Sequence, residues 1–221
     1  MEIKSLTLFS KQPKKLKAFY KEIIGFKCQD ITNGFEIITL ENRLQFEKSD
    51  QEFYYHFAFL IPTGSIEDAI RYLETRSIEL LPYKEKKIIE FDTGRSIYFY
   101  DPDGNIGEFI ERPLLEYPQS STFSIDKVIK LNEIGLPHHD PIKVSNDLMN
   151  TYNIAPINAS NFGENFCWVG DHNGVIIVTK EGRNWLPTNK PGIVNDFIIE
   201  YSDSGKNHKL SFENNSIYKY F

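Results

Sequence analysis

A carboxylate sits where an apolar return strand should carry none. The run Tyr98-Phe99-Tyr100-Asp101-Pro102-Asp103-Gly104-Asn105-Ile106-Gly107-Glu108-Phe109-Ile110 reads as strand, tight turn and strand. Pro102 presets φ for the turn, Asp103 can bond local backbone, and Gly104 supplies positive φ. Glu108 interrupts the apolar return strand. It either faces solvent or, on a core face, must be paired, protonated or bound to metal. Upstream, Arg95 lies in the turn-like stretch Asp92-Thr93-Gly94-Arg95-Ser96. Its fixed fork suits a carboxylate or phosphonate at a cleft mouth. The cluster His138-His139-Asp140 reads as a surface loop, and Trp168 and Trp185 as packing residues. No nucleophile elbow, Walker lysine loop, GxGxxG turn or HExxH helix is present.

These residues need elements to hold them, and the elements repeat. Strand-like residues 5–9 precede a helix over 13–24, with Leu16, Phe19, Tyr20, Ile23 and Ile24 at helical spacing and Gly25 as its stop. Residues 56–60 precede a second helix, with Ser65 as N-cap and Asp68 completing a variant capping box. Residues 133–137 precede a third, over 141–152. Shorter strands follow each helix: 35–40 and 43–47, then 88–91, 96–100 and 105–110, then 165–169 and 175–179. The unit is βαβββ, starting near residues 3, 54 and 129. The expected fold is α+β, made of paired modules whose apolar sheet faces pack on helices and curve around a cleft. Residues 113–124, with Pro113, Pro118 and Ser120-Ser121-Thr122, form a linker between a domain at 1–112 and a partial, diverged one at 125–221. The last part has strand candidates at 194–201 and 209–221 and no amphipathic helix.

With 40% hydrophobic and 14% aromatic residues, the composition is that of an ordinary globular protein. A net charge of −6 argues against nucleic acid or an anionic membrane as partner. No apolar run approaches the roughly 20 residues of a membrane span. Met1-Glu2-Ile3-Lys4 leads directly into a strand, without an apolar leader. The two cysteines, Cys28 and Cys167, are too few for a disulfide framework. A cytoplasmic protein with a small-molecule ligand is expected, and a homodimer is compatible with paired modules.

Phe19-Tyr20 followed by Gly25-Phe26, the strand His56-Phe57-Ala58-Phe59, and residues 96–110 with their Asp-Pro-Asp-Gly turn and Glu108 resemble the vicinal oxygen chelate superfamily. This superfamily includes glyoxalases, extradiol dioxygenases, fosfomycin-resistance enzymes and bleomycin-binding proteins. The resemblance covers residues 1–112 and is weak beyond 125. It implies a cup holding a divalent metal, with ligands on the first and last strands of each module. His56 matches a first-strand ligand and Glu108 a last-strand ligand. In the repeat alignment their mates are Ser5 and Gln45, with Glu47 two residues further on the same face. Gln45 can ligate through its amide oxygen, whereas Ser5 is a poor ligand. Zn, Ni, Mn or Fe would suit such a set. In the third unit Glu133 stands at the ligand-equivalent start, with Asp196 its counterpart in the fourth. Ile176, the corresponding last-strand residue, cannot ligate, and solvent exposure is expected for the two carboxylates.

Three functions follow from this resemblance. One is a metal-dependent glyoxalase- or dioxygenase-type enzyme on a small oxygenated substrate. Its ligands would be His56, Glu108 and Gln45, and Glu108 or Glu47 its general base. The second is metal-free sequestration of a ligand, as in bleomycin resistance, in a cleft lined by Tyr54, Tyr55, Tyr98 and Tyr100. The third is an interaction role without cleft chemistry.

Overall fold

The computed structural model describes residues 1–156 and 163–220. Two seven-stranded mixed sheets carry the fold. The first has the order β14-β13-β12-β1-β4-β3-β2 and the second β10-β11-β9-β5-β8-β7-β6. Strands β1 (Glu2–Ser10), β2 (Lys27–Ile31), β3 (Gly34–Ile38) and β4 (Arg43–Lys48) make the first unit. The second comprises β5 (His56–Leu60), β6 (Ile89–Phe91), β7 (Gly94–Tyr100) and β8 (Ile106–Glu111). The third has β9 (Lys130–His138), β10 (Phe166–Asp171) and β11 (Gly174–Lys180). The last is a helix-free meander of β12 (Phe197–Asp203), β13 (Lys206–Glu213) and β14 (Ser216–Tyr220). Residue 221, the end of the expected last strand, lies outside the described residues.

The α+β architecture of βαβββ modules is as expected, but consecutive modules pair differently. The first unit joins the fourth through antiparallel β1 and β12, with Leu6 opposite Ile199. The second joins the third through antiparallel β5 and β9, with Phe57 opposite Ile134. Residues 1–112 are therefore shared between two sheets, and a division at the 113–124 linker does not coincide with either. The reason is that each unit's first strand has an edge open for pairing, and local sequence does not say which other unit fills it.

Helices cover the inner faces. The first, α1 (Pro13–Ala18), continues as a π-helical turn over Phe19–Ile24 and stops at Gly25, whose φ of 98° is left-handed. The second, α2 (Ile66–Glu74), begins after Ser65, but the expected cap is not the one used. Ser65 Oγ donates to the Pro62 carbonyl, and the Ile66 amide is held by Glu111 Oε1 at 2.8 Å. Asp68 instead accepts from the Phe123 amide and from Arg71. The third helix is α3 (Pro141–Asn150), capped by Asp140. Strand β2 escaped the sequence pattern because it is an exposed edge with almost no apolar alternation.

One continuous apolar core joins both sheets and the helices, and it is rich in phenylalanine. Phe26 lies between the sheets' aromatics at 4.9 Å from Phe59, and Phe46 meets Phe57 edge-on at 6.2 Å. Asn42 stitches the sheets, donating to the Ile3 and Leu131 carbonyls and accepting from the Leu131 amide. The Asp-Pro-Asp-Gly hairpin is anchored just as firmly. Buried Asp101 accepts from two backbone amides, from Tyr20 Oη at 2.8 Å and from Asn105 Nδ2 at 2.7 Å. Burial pushes its carboxyl up to about 6 even so. Asn105 in turn accepts from the Tyr55 amide, which fixes where β5 starts against β8. That bond sets the position of His56. No helix among the described residues is long and apolar enough to cross a membrane.

Candidate metal centre

Three ligand-type side chains converge on the outward, concave face of the second sheet. His56, Glu108 and Glu133 come from β5, β8 and β9, and a donor atom of each lies within 4.8 Å of the others. Register explains the meeting. Ala58 lies opposite both Glu108 and Glu133, so the two carboxylates flank β5 two residues beyond His56, on the same face. A bulge at Asn132 re-aims the start of β9 and delivers Glu133 to the cup.

His56 Nδ1 lies 3.3 Å from the Ile106 carbonyl, which assigns the ring proton to Nδ1. The Nε2 lone pair then faces Glu108 Oε2, 3.3 Å away. Two acceptors at that distance need a proton or a cation between them. Burial holds His56 down to about 4, so the imidazole stays neutral. Burial, and then the charge of Glu133, hold the Glu108 carboxyl well above the usual range. Without an ion, the shared proton therefore resides on Glu108. Opposite it on β7, burial and the Glu108 charge hold the Tyr98 phenol up, so it too is neutral.

Glu133 is paired with Arg112, which is only 2% exposed. Arg112 Nε also donates to Asn132 Oδ1 at 2.7 Å, while Nη1 has no partner among the described residues. Burial raises the Glu133 carboxyl, and the guanidinium works against that. The donor set fits a divalent ion. Bonds of about 2.0–2.2 Å put ligand atoms roughly 3–4.4 Å apart, close to the observed spacing. An imidazole whose other nitrogen is held by a carbonyl is the usual partner arrangement for a ligating histidine. Nitrogen plus carboxylate oxygen suits Zn, Mn, Fe or Ni.

The corresponding position in the third unit is Ile177, opposite Gly135, and it faces the cup without a ligand. Ile176, expected there, points into the core, because the β10–β11 turn is shorter than the Asp-Pro-Asp-Gly loop and shifts the count by one.

Above these three side chains lies a cavity of about 470 Å³, walled by Phe91, Tyr98, Phe166, Trp168, Trp185 and Leu186. The Trp185 ring lies against His56, tilted 42° to it with centroids 4.9 Å apart. Its loop is tied to the hairpin by Lys190 Nζ, 2.5 Å from the Gly104 carbonyl. The indole occupies room that only glycine leaves: a Cβ on Gly135 would stand 2.6 Å from Trp185 Cη2. Gly135→Ala should push Trp185 outward at a cost of about 1–3 kcal/mol. Red-shifted Trp185 emission in a Trp168→Phe background checks this, and unchanged emission refutes it.

Several expected site residues are elsewhere. Ser5, Gln45 and Glu47 belong to the first sheet, on β1 and β4, and never approach His56. Gln45 is spent on Thr7 and on buried Glu36. Arg95 is not free at a cleft mouth. It donates to Glu111 at 2.8 Å and Glu67 at 2.7 Å, bracing the start of α2. Tyr54 lies under Lys190 Nζ at 3.8 Å, Tyr100 is outside the cavity, and Tyr55 is buried and donates to the Asp196 carbonyl. Tyr98 alone of the four tyrosines lines the cavity. Asp196 holds the Asn214 amide instead of a ligand site. His138 is buried against backbone groups, and His139 pairs with Glu181 at the surface. Trp168 and Trp185 form cavity wall, and Glu133, expected exposed, is 5% exposed.

No protein-family model matches this chain, and no curated protein sequence does. Among solved structures, a presumed dioxygenase from Bacillus subtilis aligns over 97% of this chain and 82% of its own, with a TM-score of 0.65 at 15% identity. The chain has the vicinal oxygen chelate fold. Shorter proteins align over about half of it. A presumed glyoxalase-family protein from Bacillus anthracis covers 51% of this chain and 95% of its own, at 18% identity and TM-score 0.43. A lactoylglutathione lyase from Agrobacterium tumefaciens covers 52% and 96%, at 17% and 0.43. Within the vicinal oxygen chelate fold of this chain, the second sheet carries the ligand-type residues, and the first carries a polar network around Gln45 and Glu36 at the corresponding strands.

Proposed function

We propose that this chain is a divalent-metal-dependent enzyme of glyoxalase or dioxygenase type, acting on a small molecule with two neighbouring oxygens. The observation that carries this reading is the His56 lone pair facing Glu108 across 3.3 Å, with Glu133 alongside. His56, Glu108 and Glu133 would hold the metal. A bound metal would supply Lewis-acid stabilisation of the negative charge that develops on the substrate's oxygens. With its proton displaced by the metal, Glu108 would be the carboxylate at the cavity floor able to accept one from the substrate. Tyr98 offers a neutral hydroxyl across the ladder from Glu108. Trp185, Trp168 and Phe166 orient the substrate's apolar body and exclude water from the floor. Glu47, on the other sheet, has no part in this. All three ligands come from one chain, so a homodimer is not needed to complete the site. The free cysteines Cys28 and Cys167 fit a reducing cytoplasm.

A second reading is metal-free binding of a small molecule. It is favoured by one observation: the Arg112–Glu133 pair and a proton shared by Glu108 and His56 balance the cluster without an ion. Elemental analysis of protein purified without chelator separates the two. Near-stoichiometric Zn, Ni, Mn or Fe, absent from His56→Ala, is expected. No metal as purified, with no uptake of the four ions, would leave the sequestration reading in its place.

A further inference from the structure

We infer that residues 182–192 form a hinged flap over the cup and that Lys190 is its latch, a positioning residue that acts through Trp185. The flap lifts to admit an ion or substrate and closes behind it. What enters rests on the functional reading above.

Three observations converge. The first is enclosure. None of His56, Glu108 and Glu133 is more than 5% exposed, whereas an incoming divalent ion arrives with water around it. Trp185 is buried against His56 and in the space over Gly135, so its indole is the part of the flap that closes the floor.

The second is that the flap is one body. The Gly182 amide donates to the Gly192 carbonyl and the Gly192 amide to the Arg183 carbonyl, each at 2.8 Å. The Trp185 amide donates to the Lys190 carbonyl at 3.0 Å, so plug and latch are joined across a short ladder and move together. Gly182 is suited to be the hinge. Its φ is 81°, and a Cβ there would meet nothing within 4 Å. Beyond the stem the chain is fixed, by the Glu181 amide on the His138 carbonyl and by Asn195 Nδ2 on the Tyr54 carbonyl.

The third is how little holds the flap down. Among the described residues, Lys190 Nζ on the Gly104 carbonyl is its one side-chain hydrogen bond to the rest of the molecule. That ammonium has no carboxylate partner among the described residues, and otherwise rests on the Tyr54 ring, with Tyr100 5.6 Å away. Arg183 adds a contact with the Phe166 ring. One polar bond and a few ring contacts around a glycine hinge are the pattern of a segment that opens while the rest stays folded.

Acrylamide quenching of Trp185, in a Trp168→Phe background, reads the flap without metal. Lys190→Met should raise the quenching constant about threefold, and Lys190→Arg, which keeps a charged donor, should stay near the parent. Mn²⁺ loading, and its release to excess EDTA, read the same motion with metal. Lys190→Met should speed both directions about tenfold and leave Kd nearly unchanged, because the latch touches neither the ligands nor the ion. Loss of packing alone would speed release, weaken Kd and leave loading as it was. Trp185→Ala, which keeps the latch and removes the plug, should exchange Mn²⁺ as fast as Lys190→Met. Equal quenching in the parent and Lys190→Met overturns the flap. So does Mn²⁺ exchange at the wild-type rate in Lys190→Met or Trp185→Ala. Increased quenching with no Mn²⁺ uptake by any of these proteins would keep the flap and overturn the metal reading.

Discussion

Arg112→Met is expected to destabilise the metal-free protein by about 3–5 kcal/mol, the usual cost of leaving a buried charge without its partner. Arg112 is enclosed against Glu133 and Asn132, and among the described residues no other cation pairs with Glu133. Removing it leaves two carboxylates and a neutral imidazole in one apolar cup. A divalent ion should then do what the guanidinium did. Saturation at a thousand times Kd adds about 4 kcal/mol, enough to return most of the loss. The variant should therefore be unstable to urea without metal and close to wild type with Mn²⁺ or Zn²⁺. The wild type should gain less, because in it the ion and Arg112 repel. Arg112→Lys should fall between, since an ammonium cannot bond Asn132 and Glu133 with the same fixed fork. Equal destabilisation with and without metal would sink the metal centre and leave Arg112 a purely structural ion pair.

The second large effect is on pH. Metal binding should release one proton, and that proton should come from Glu108, not His56. With its pKa at about 4, His56 offers no proton to displace at neutral pH. Glu108, raised by burial, holds one. Affinity should rise tenfold per pH unit while Glu108 is protonated and level off above its pKa. Titration in two buffers of different ionisation heat counts the proton directly. Glu108→Gln should abolish both the proton release and tight binding. An affinity that instead drops through pH 6–7, as an ordinary solvated imidazole would dictate, would refute the assignment.

The same shifts fix the sign for stability. The unfolded chain protonates His56 near 6.5 and the native state only near 4, so stability falls as pH drops through that window, by about 3 kcal/mol from this group. Glu108 acts oppositely. Its folded pKa is raised, so its protonated form stabilises fully below the ordinary carboxylate range, and that contribution is lost as pH rises through the folded value.

Much of this was legible in the chain, and what was not shares one physical origin. The recurring βαβββ pattern is local, written in turns and apolar spacing, and it led to the fold. Glu108 was visible as a charge on an apolar strand, and His56 through resemblance. Glu133 was placed at its strand position but assigned to solvent, because its burial depends on β5 choosing β9 as neighbour. The same choice removed Gln45 and Ser5 from the site. Arg95 looked free because its partners, Glu67 and Glu111, lie 28 and 16 residues away. Ser65 looked like a cap because the group that holds the helix start, Glu111, lies 45 residues on. Long-range partners decide these roles, and spacing along the chain does not encode them.

The pairing of units also sets an order of assembly. Every strand of the ligand-bearing sheet lies between residues 56 and 180, one uninterrupted stretch nested inside the other sheet's two parts. During synthesis that stretch has all its partners before β12 emerges, so its sheet can close on the ribosome. The first sheet cannot. Strand β1, made early, must wait for residues 197–203 before its free edge is covered. In the interval its edge and the apolar faces around Leu6 and Phe46 are shielded only by what the middle of the chain has already built. The sheet that holds His56, Glu108 and Glu133 thus offers a template on which the other can be completed.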